Sequence, residues 1–492
     1  MGLMYLHFLL LLLFSGKAVS RNIVKTLPGF SGELPFKLET GYVSVGDIEF
    51  FYYFVESQGN PGADPLILYM NGGPGCSGLN GFFYQVGPVV FNTTDYIGGL
   101  PTLLPYPRSW TKTANIIFVD APVGTGFSYA TTTQAYTTSD TLSAIQTLGF
   151  LRNWLNDHPD FKLNPLFIGA DSYSSLIAPI IAQEIMDGNG VGEEPHINLK
   201  GYLIGSPHTD TTIELNSRIV YAHRMALISD ALYEAAKTGC NGRYVDIDPS
   251  NAKCVEALES ISLCIEQVSL QDILEPKCSF ISPKQNKEIR RSLRENSRSF
   301  LLPSQYRTGN DWCWNFEHSL SDIWANYKSV QDALYIRPGT VEEFFRCNIS
   351  LSYTENVNNV FGYHKNLTNS GLQVLVFSGD HDMVIPHVGI EQWIKSLNIS
   401  IGSDWRPWFV DGQIGGYTRK YVNKAYSLTY STLKGAGHSP TEYRRRESYE
   451  MFYSFNESFA VLMLAAHGRN LSTGTAGIER LIKEGSDFLW MR

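Results

Sequence analysis

The sequence has no Walker-type phosphate loop, no CxxC pair and no HExxH run, so no motif calls for a nucleotide, a bound metal or another cofactor. It also lacks a basic excess: 39 Lys and Arg stand against 48 Asp and Glu, a formal net charge of −9. Nucleic acid is thereby excluded as the main partner, because neutralising phosphates needs a basic face. There is no internal repeat and no low-complexity stretch, which argues against a solenoid or a linker array. Long apolar runs are missing as well. Neither Leu3 to Phe14 nor Phe459 to Ala466 reaches the roughly 20 residues that a membrane span requires.

What remains is a chain of ordinary globular composition, 492 residues with 43% hydrophobic and 18% charged. It can build a large core, either as two or three units or as one α/β domain with an insertion. Leu3 to Phe14 followed by Ala18-Val19-Ser20 reads as a secretory signal over residues 1–20, although no Lys or Arg precedes the run. Six N-x-S/T sequons, at Asn92, Asn348, Asn366, Asn398, Asn456 and Asn470, agree with a secretory route, extracellular or vacuolar. Seven cysteines follow the signal: Cys76, Cys240, Cys254, Cys264, Cys278, Cys313 and Cys347. An oxidising compartment predicts three pairs and one leftover thiol, and spacing leaves the pairing open.

Short apolar runs at Pro65–Met70, Asn115–Val119, Leu166–Gly169, Leu203–Gly205 and Val374–Ser378 read as buried strands. Helical spacing occupies Ser139–Asn156 and Leu176–Met186. Strands alternating with helices predict the α/β class, a mainly parallel sheet with helices on both faces. The core then comprises 21–213 and 330–455. Residues 214–329 lack a clear buried strand, carry Cys240 to Cys278 and Cys313, and include a charged helical stretch from Lys284 to Arg298. They are read as a disulfide-bearing cap over the carboxyl edge of the sheet, where ligands bind in open α/β sheets. The tail 456–492 receives no function.

Ser172 sits between a strand and a helix in Phe167-Ile-Gly-Ala-Asp-Ser-Tyr-Ser-Ser175, with small residues, Ala170 and Ser174, two positions either side. A nucleophile elbow needs that smallness, but a plain helix cap would also place a serine there. Asp382 follows the Val374–Ser378 strand, and His438 lies in the glycine-flanked Gly435-Ala-Gly-His438. The order Ser, Asp, His is that of α/β-hydrolases: the imidazole takes the serine proton and the aspartate fixes its tautomer. A helix-capping Asp382 and an idle loop His438 are the bland readings. Asp380 and His381 compete for the acid and base roles. Asp380 suits loop support, and His381 falls on the wrong side of the order.

Five segments, in order, resemble the serine carboxypeptidase-like family (peptidase family S10) over roughly Thr26 to Phe455. They are Asn71-Gly-Gly-Pro-Gly-Cys-Ser77, Asp120-Ala-Pro-Val-Gly-Thr-Gly-Phe-Ser-Tyr129, Asp171-Ser-Tyr173, Ser378-Gly-Asp-His-Asp-Met383 and Gly435-Ala-Gly-His438. Phe51-Tyr-Tyr-Phe-Val55, Met225-Ala-Leu-Ile-Ser-Asp230 and Asp404-Trp-Arg-Pro-Trp408 are most similar to the plant group that includes acyltransferases. The resemblance implies an α/β-hydrolase fold and an acyl-Ser172 intermediate. Gly73 and Tyr173 would supply oxyanion N–H groups, with Asn71, Gly72, Asp171 and Gln85 contacting substrate. It further implies disulfides Cys76–Cys347, Cys240–Cys254 and Cys278–Cys313, leaving Cys264 as a buried free thiol. No cofactor or metal is implied. The partners would be a small-molecule acyl donor and acceptor, or a peptide C-terminus.

Three activities fit: transfer from a 1-O-β-glucose ester to an alcohol, removal of C-terminal residues, or binding without catalysis. Four departures bear on the choice. Ala170 and Ser175 stand where the family has glycine, which predicts strain at a tight crossing. Gln85 replaces a glutamate that would share a proton with Asp171, which predicts weaker dependence on acidic pH. The tail after Phe455 is unlike the family's ending.

Overall fold

The strand Ile48–Val55 shows how the sequence builds the centre of the molecule. Ile48, Phe50, Tyr52 and Phe54 pack into one core, while Phe51, Tyr53 and Val55 pack into another on the opposite face. Side chains of a strand alternate, so a strand apolar at every position but the buried Glu49 must be covered on both sides. The computed structural model describes residues 20–94, 96–277 and 314–466.

The chain opens with antiparallel β1 (Ser20–Val24), β2 (Leu38–Val45) and β3 (Ile48–Val55), then enters β4 (Leu66–Met70). Strands β5 (Val89–Phe91) and β6 (Leu103–Pro105) pair with each other off the main sheet. Strands β7 (Asn115–Val119) and β8 (Tyr129–Ala130) return to it, and β9 (Thr138–Ser139) later pairs with β12 (Tyr353–Thr354). Between them lie β10 (Leu166–Asp171) and β11 (Leu199–Gly205). The sheet is completed by β13 (Gln373–Gly379), β14 (Ser400–Val410), β15 (Gln413–Asn423) and β16 (Tyr426–Leu433).

Its order is β1-β2-β3-β7-β4-β10-β11-β13-β16-β15-β14, with β8 beside β3. The centre, from β7 to β16, is parallel; β1–β3 and β14–β15 are antiparallel additions. One face is covered by the helices Asp140–Asp157, Ser174–Gly190 and His387–Ser396. The other is covered by Leu320 and Trp324 of Trp314–Ala325 and by Met451, Phe452 and Phe455 of Arg445–Ala466. Each fully buried Leu, Ile, Val or Phe contributes about 1.5–3 kcal/mol. The helix expected over Ser139–Asn156 spans Asp140–Asp157, and the Ser139 hydroxyl accepts from the Leu142 N–H as its cap.

Within 214–277 the described residues form helices and no strand. The first of these helices begins at Thr211, three residues ahead of the expected boundary. A separate cluster, including Ile219, Tyr221, Ala236, Ala257 and Ile261, packs them together, and Cys240–Cys254 joins two of them. The segment reaches the sheet's carboxyl edge: Met383 N–H donates to Leu270 O at 3.0 Å and His438 N–H to Gln271 O at 2.7 Å. Cys264 is free but exposed, a correction to its expected burial: Ile261 and Ile265 of its helix turn to the apolar cluster, and Cys264 lies off that face. The pair Cys278–Cys313, the helical stretch Lys284–Arg298, the signal over 1–19, Asn470 and the end of the tail lie outside the described residues. Among the described residues no helix is long and apolar enough to cross a membrane. Of the sequon asparagines, Asn366 and Asn398 are exposed and Asn92 and Asn348 half-buried.

Candidate active site

The parallel strands end together, and the loops beyond them meet at Ser172. Strand β10 stops at Asp171, and Ser172 turns into the helix Ser174–Gly190 with φ +55°. A non-glycine residue in that region is strained, and the turn projects its side chain above the sheet edge. Three backbone hydrogen bonds hold it: Ser172 N–H to Gly205 O at 2.9 Å, and Ser175 N–H and His208 N–H to Ser172 O at 3.0 and 3.3 Å. The Ser174 hydroxyl donates to Asn71 O at 2.5 Å, drawing the loop after β4 against the turn. Only glycine fits at the contact. A Cβ on Gly72 would lie 2.8 Å from both Asp171 O and Ser172 Cβ, and 2.9 Å from Tyr173 N. Gly73 follows with φ +120°. The structure thus sets Gly72, with Gly73 next in the chain, against the turn that carries Ser172 and the Tyr173 N–H.

Ala170 and Ser175 fit without displacing the strand. Ala170 stays in register with Met70 of β4 and Ile204 of β11 and is fully buried. The Ser175 hydroxyl donates to Gly205 O at 3.3 Å.

Ser172 Oγ lies 2.7 Å from His438 Nε2, and His438 Nδ1 lies 2.9 Å from Asp382 Oδ2. Asp382 is fully buried, and its Oδ1 accepts from Val384 N–H at 2.8 Å and Ile385 N–H at 3.0 Å. Burial alone would pull the His438 imidazole down. The adjacent Asp382 carboxylate more than offsets this and holds it above the usual histidine value. Asp380 supports the neighbouring loop, its Oδ1 accepting from Gly435 N–H at 2.6 Å. His381 turns away from Ser172 and lies 3.3 Å from Asp272.

Asn71, Gln85 and Asp171 form one chain of hydrogen bonds on the second face. Tyr69 OH and Asn71 Nδ2 both donate to Gln85 Oε1, at 2.9 and 2.8 Å. Gln85 Nε2 donates to Asp171 Oδ2 at 3.0 Å, and the Ser439 hydroxyl reaches the same oxygen at 3.1 Å. Asp171 Oδ1 is buried with no hydrogen-bond partner. Burial pushes this carboxyl up to about 7, against the smaller opposing effect of His438. Burial thus leaves this carboxyl responsive to acid even with Gln85, not a second acid, beside it. Desolvation does what a second carboxylate would otherwise do.

Three contributors escaped the sequence reading. Ser439 was identifiable only as the residue after His438. Asp140 accepts from Tyr173 OH at 2.6 Å and Tyr353 OH at 2.8 Å, a convergence no spacing reveals. His208 lies three residues beyond β11, at the sheet edge where ligands collect, and that position was the available signal.

The model for the serine carboxypeptidase family S10 matches residues 28–458. Among curated relatives, serine carboxypeptidase-like 17 of Arabidopsis thaliana is 43% identical, with 91% of this chain and 95% of that protein covered. Serine carboxypeptidase-like 7 of the same plant is 42% identical, with 90% and 95% covered. Among solved structures, the prohormone-processing carboxypeptidase Kex1(delta)p of Saccharomyces cerevisiae superimposes with TM-score 0.66 at 18% identity, covering 86% of this chain and 91% of that one. That likeness speaks for the fold, which is the α/β-hydrolase fold. With the family model matching across nearly the whole described core, this chain belongs to the serine carboxypeptidase family.

Proposed function

We propose that the protein is an acyl-transferring serine enzyme of the secretory route that passes an acyl group from a 1-O-β-glucose ester to an alcohol. The observation that carries the reading is the continuous Ser172–His438–Asp382 hydrogen-bond path beneath the Gly72–Gly73 loop. Ser172 Oγ attacks the ester carbonyl while its proton passes to His438 Nε2. The Gly73 and Tyr173 N–H groups receive the oxyanion, and a donor so aimed is worth ~2.7–4 kcal/mol. The proton then goes to the departing sugar oxygen, leaving acyl-Ser172. An alcohol then loses its proton to His438 and attacks the acyl carbon, and as the acyl–Oγ bond breaks that proton passes to Ser172 Oγ, releasing the new ester. The disulfides Cys76–Cys347 and Cys240–Cys254 support an oxidising compartment.

Gln85 favours this reading over peptide hydrolysis, because a site with one acid where two would stand suits a neutral leaving group. The second reading, C-terminal exopeptidase, is favoured by the unpartnered Asp171 Oδ1: as a neutral acid it donates to a substrate carboxylate. The test is incubation of the pure protein with a glucose ester plus an alcohol, and separately with blocked dipeptides. Ester product with little hydrolysis supports transfer. Free amino acid supports the exopeptidase. A Ser172 that fails to react with a fluorophosphonate overturns both.

A further inference from the structure

The molecule holds a second histidine–carboxylate pair close to Ser172, on the side opposite Asp171. His208 N–H donates to Ser172 O at 3.3 Å. Its ring lies near-parallel to that of Tyr173, centroids 5.6 Å apart and 20° between planes. Nδ1 is 2.5 Å from Glu214 Oε2. Glu214 is itself held, its Oε1 accepting from Thr209 N–H at 2.5 Å and Asp210 N–H at 3.0 Å. The Tyr173 ring is anchored through its hydroxyl to Asp140. Both neighbours of the imidazole are thus fixed, and so is its plane.

The remaining nitrogen, Nε2, has no protein hydrogen bond among the described residues, and the side chain is 17% exposed. Two buried histidines of the same protein show the contrast. His158 is spent on both nitrogens, to Trp154 O at 2.8 Å and Glu39 at 2.7 Å. His364 is fully buried, and burial pushes it down to about 3. His208 differs in sign: burial pulls it down, but Glu214 prevails and holds it above the usual histidine value. Glu214 thus favours the imidazolium, the form in which Nε2 carries a proton and can donate it. The surrounding charges, Glu214, Asp140 and Glu355, are all acidic, so the pair presents an N–H donor without net positive charge.

The two sides of Ser172 are separated by the strand that carries it. Asn71 follows β4 and His208 follows β11, the two neighbours of β10. Asp171 points to the face of the second core, beside Phe377 at Gly205, whereas Asp140 opens a helix packed on the first. Where the Asn71–Gln85–Asp171 chain holds the departing half of the substrate, the His208 side faces the half that remains on Ser172.

We infer that His208 is a specificity residue that selects acyl groups carrying a hydrogen-bond-accepting oxygen, to which its Nε2–H donates. This rests on Ser172 being the nucleophile. The test uses blocked α-aminoalkyl phosphonate probes that phosphonylate Ser172, with the acyl-side residue Asn against Leu and Gln against Met, so that shape is nearly kept while the oxygen is lost. The wild-type protein is expected to react at least about tenfold faster with the amide of one pair, since a site built around a donor rejects the analogue lacking its acceptor. His208→Leu should bring that ratio to near unity, read within the variant so that any general change in reactivity cancels. His208→Gln, which keeps a donor, should restore part of it. Ratios unchanged in His208→Leu, or near unity in the wild type, overturn the assignment while leaving Ser172 as nucleophile. No reaction at Ser172 with any probe, including a simple fluorophosphonate, overturns the assignment together with the proposed function.

Discussion

Asp382 and Asp171 are both buried carboxyls beside the same serine–histidine pair, yet they are provisioned differently. Asp382 receives three donors over both oxygens: the imidazole and two backbone N–H groups. Asp171 receives two, both on Oδ2, and its Oδ1 has none. Burial is nearly equal, 0% and 3% exposed, so burial does not separate them. A carboxylate supplied with donors stays charged and can stabilise an imidazolium; one left short prefers its proton and becomes a donor itself. The same side chain is thus fully supplied with donors on one side of His438 and left short of one on the other.

The sharpest break of this comparison is to remove each charge in turn. Asp382→Asn should reduce kcat by about 10⁴-fold with little change in KM, because the imidazole loses both its tautomer and the charge that stabilises its cation. Asp171→Asn should leave kcat within about tenfold and act mainly on KM. Steady-state kinetics on one ester substrate settles it. Equal losses in kcat would mean that the two carboxyls form one catalytic unit.

A smaller effect follows from pH. Asp171, raised from 3.8 to about 7, binds its proton in the folded protein over a range where the unfolded chain has released it. Stability from this group is therefore lost as pH rises from about 4 to about 7, the reverse of a salt-bridged aspartate. The melting temperature of Asp171→Asn relative to wild type should climb over that window and level off above it. In kinetics, KM for a substrate with a terminal carboxylate should rise above about pH 7, up to tenfold per unit, and flatten in Asp171→Asn. A glucose ester, whose hydroxyls can donate to the ionised form, should show no such rise. Smaller again is Gln85→Glu, which removes an amide donor and adds a like charge. The midpoint of the KM rise should move to higher pH, and a shift to lower pH would contradict the role given to desolvation.

Much of this arrangement was legible in the chain. Ser172, Asp382 and His438 stood out because each follows an apolar strand and the latter two lie near glycines, features that local sequence records directly. The parallel centre was legible for the same reason: Leu66–Met70, Ile116–Val119 and Val374–Phe377 are apolar without interruption. The antiparallel flank was not. Residues of β14 are exposed or half-buried up to Trp408, and Asp404, Arg406 and Pro407 hide its strand character. The orphaned oxygen of Asp171 was equally hidden, because hydrogen-bond supply depends on which loops converge. So was His208, whose partner Glu214 is six residues away but whose neighbour Tyr173 comes from another strand.

The smallest expected effect concerns the bulk around the turn. If donor supply rather than steric relief governs Ser172, restoring glycine beside it should bring no catalytic gain. Ala170→Gly removes a methyl buried in the first core, worth about 0.8 kcal/mol, and adds about 0.5–1 kcal/mol of backbone entropy lost on folding. Ser175→Gly removes the hydroxyl that donates to Gly205 O, at a similar cost. Each variant should melt a few degrees lower, with kcat changed less than about threefold. The outcome that would reverse this is a tenfold or greater rise in kcat or in the rate of fluorophosphonate labelling. Such a rise would mean that the added methyl and hydroxymethyl hold the nucleophile off its best position, and that crowding at β10, not the contrast between Asp382 and Asp171, limits this enzyme.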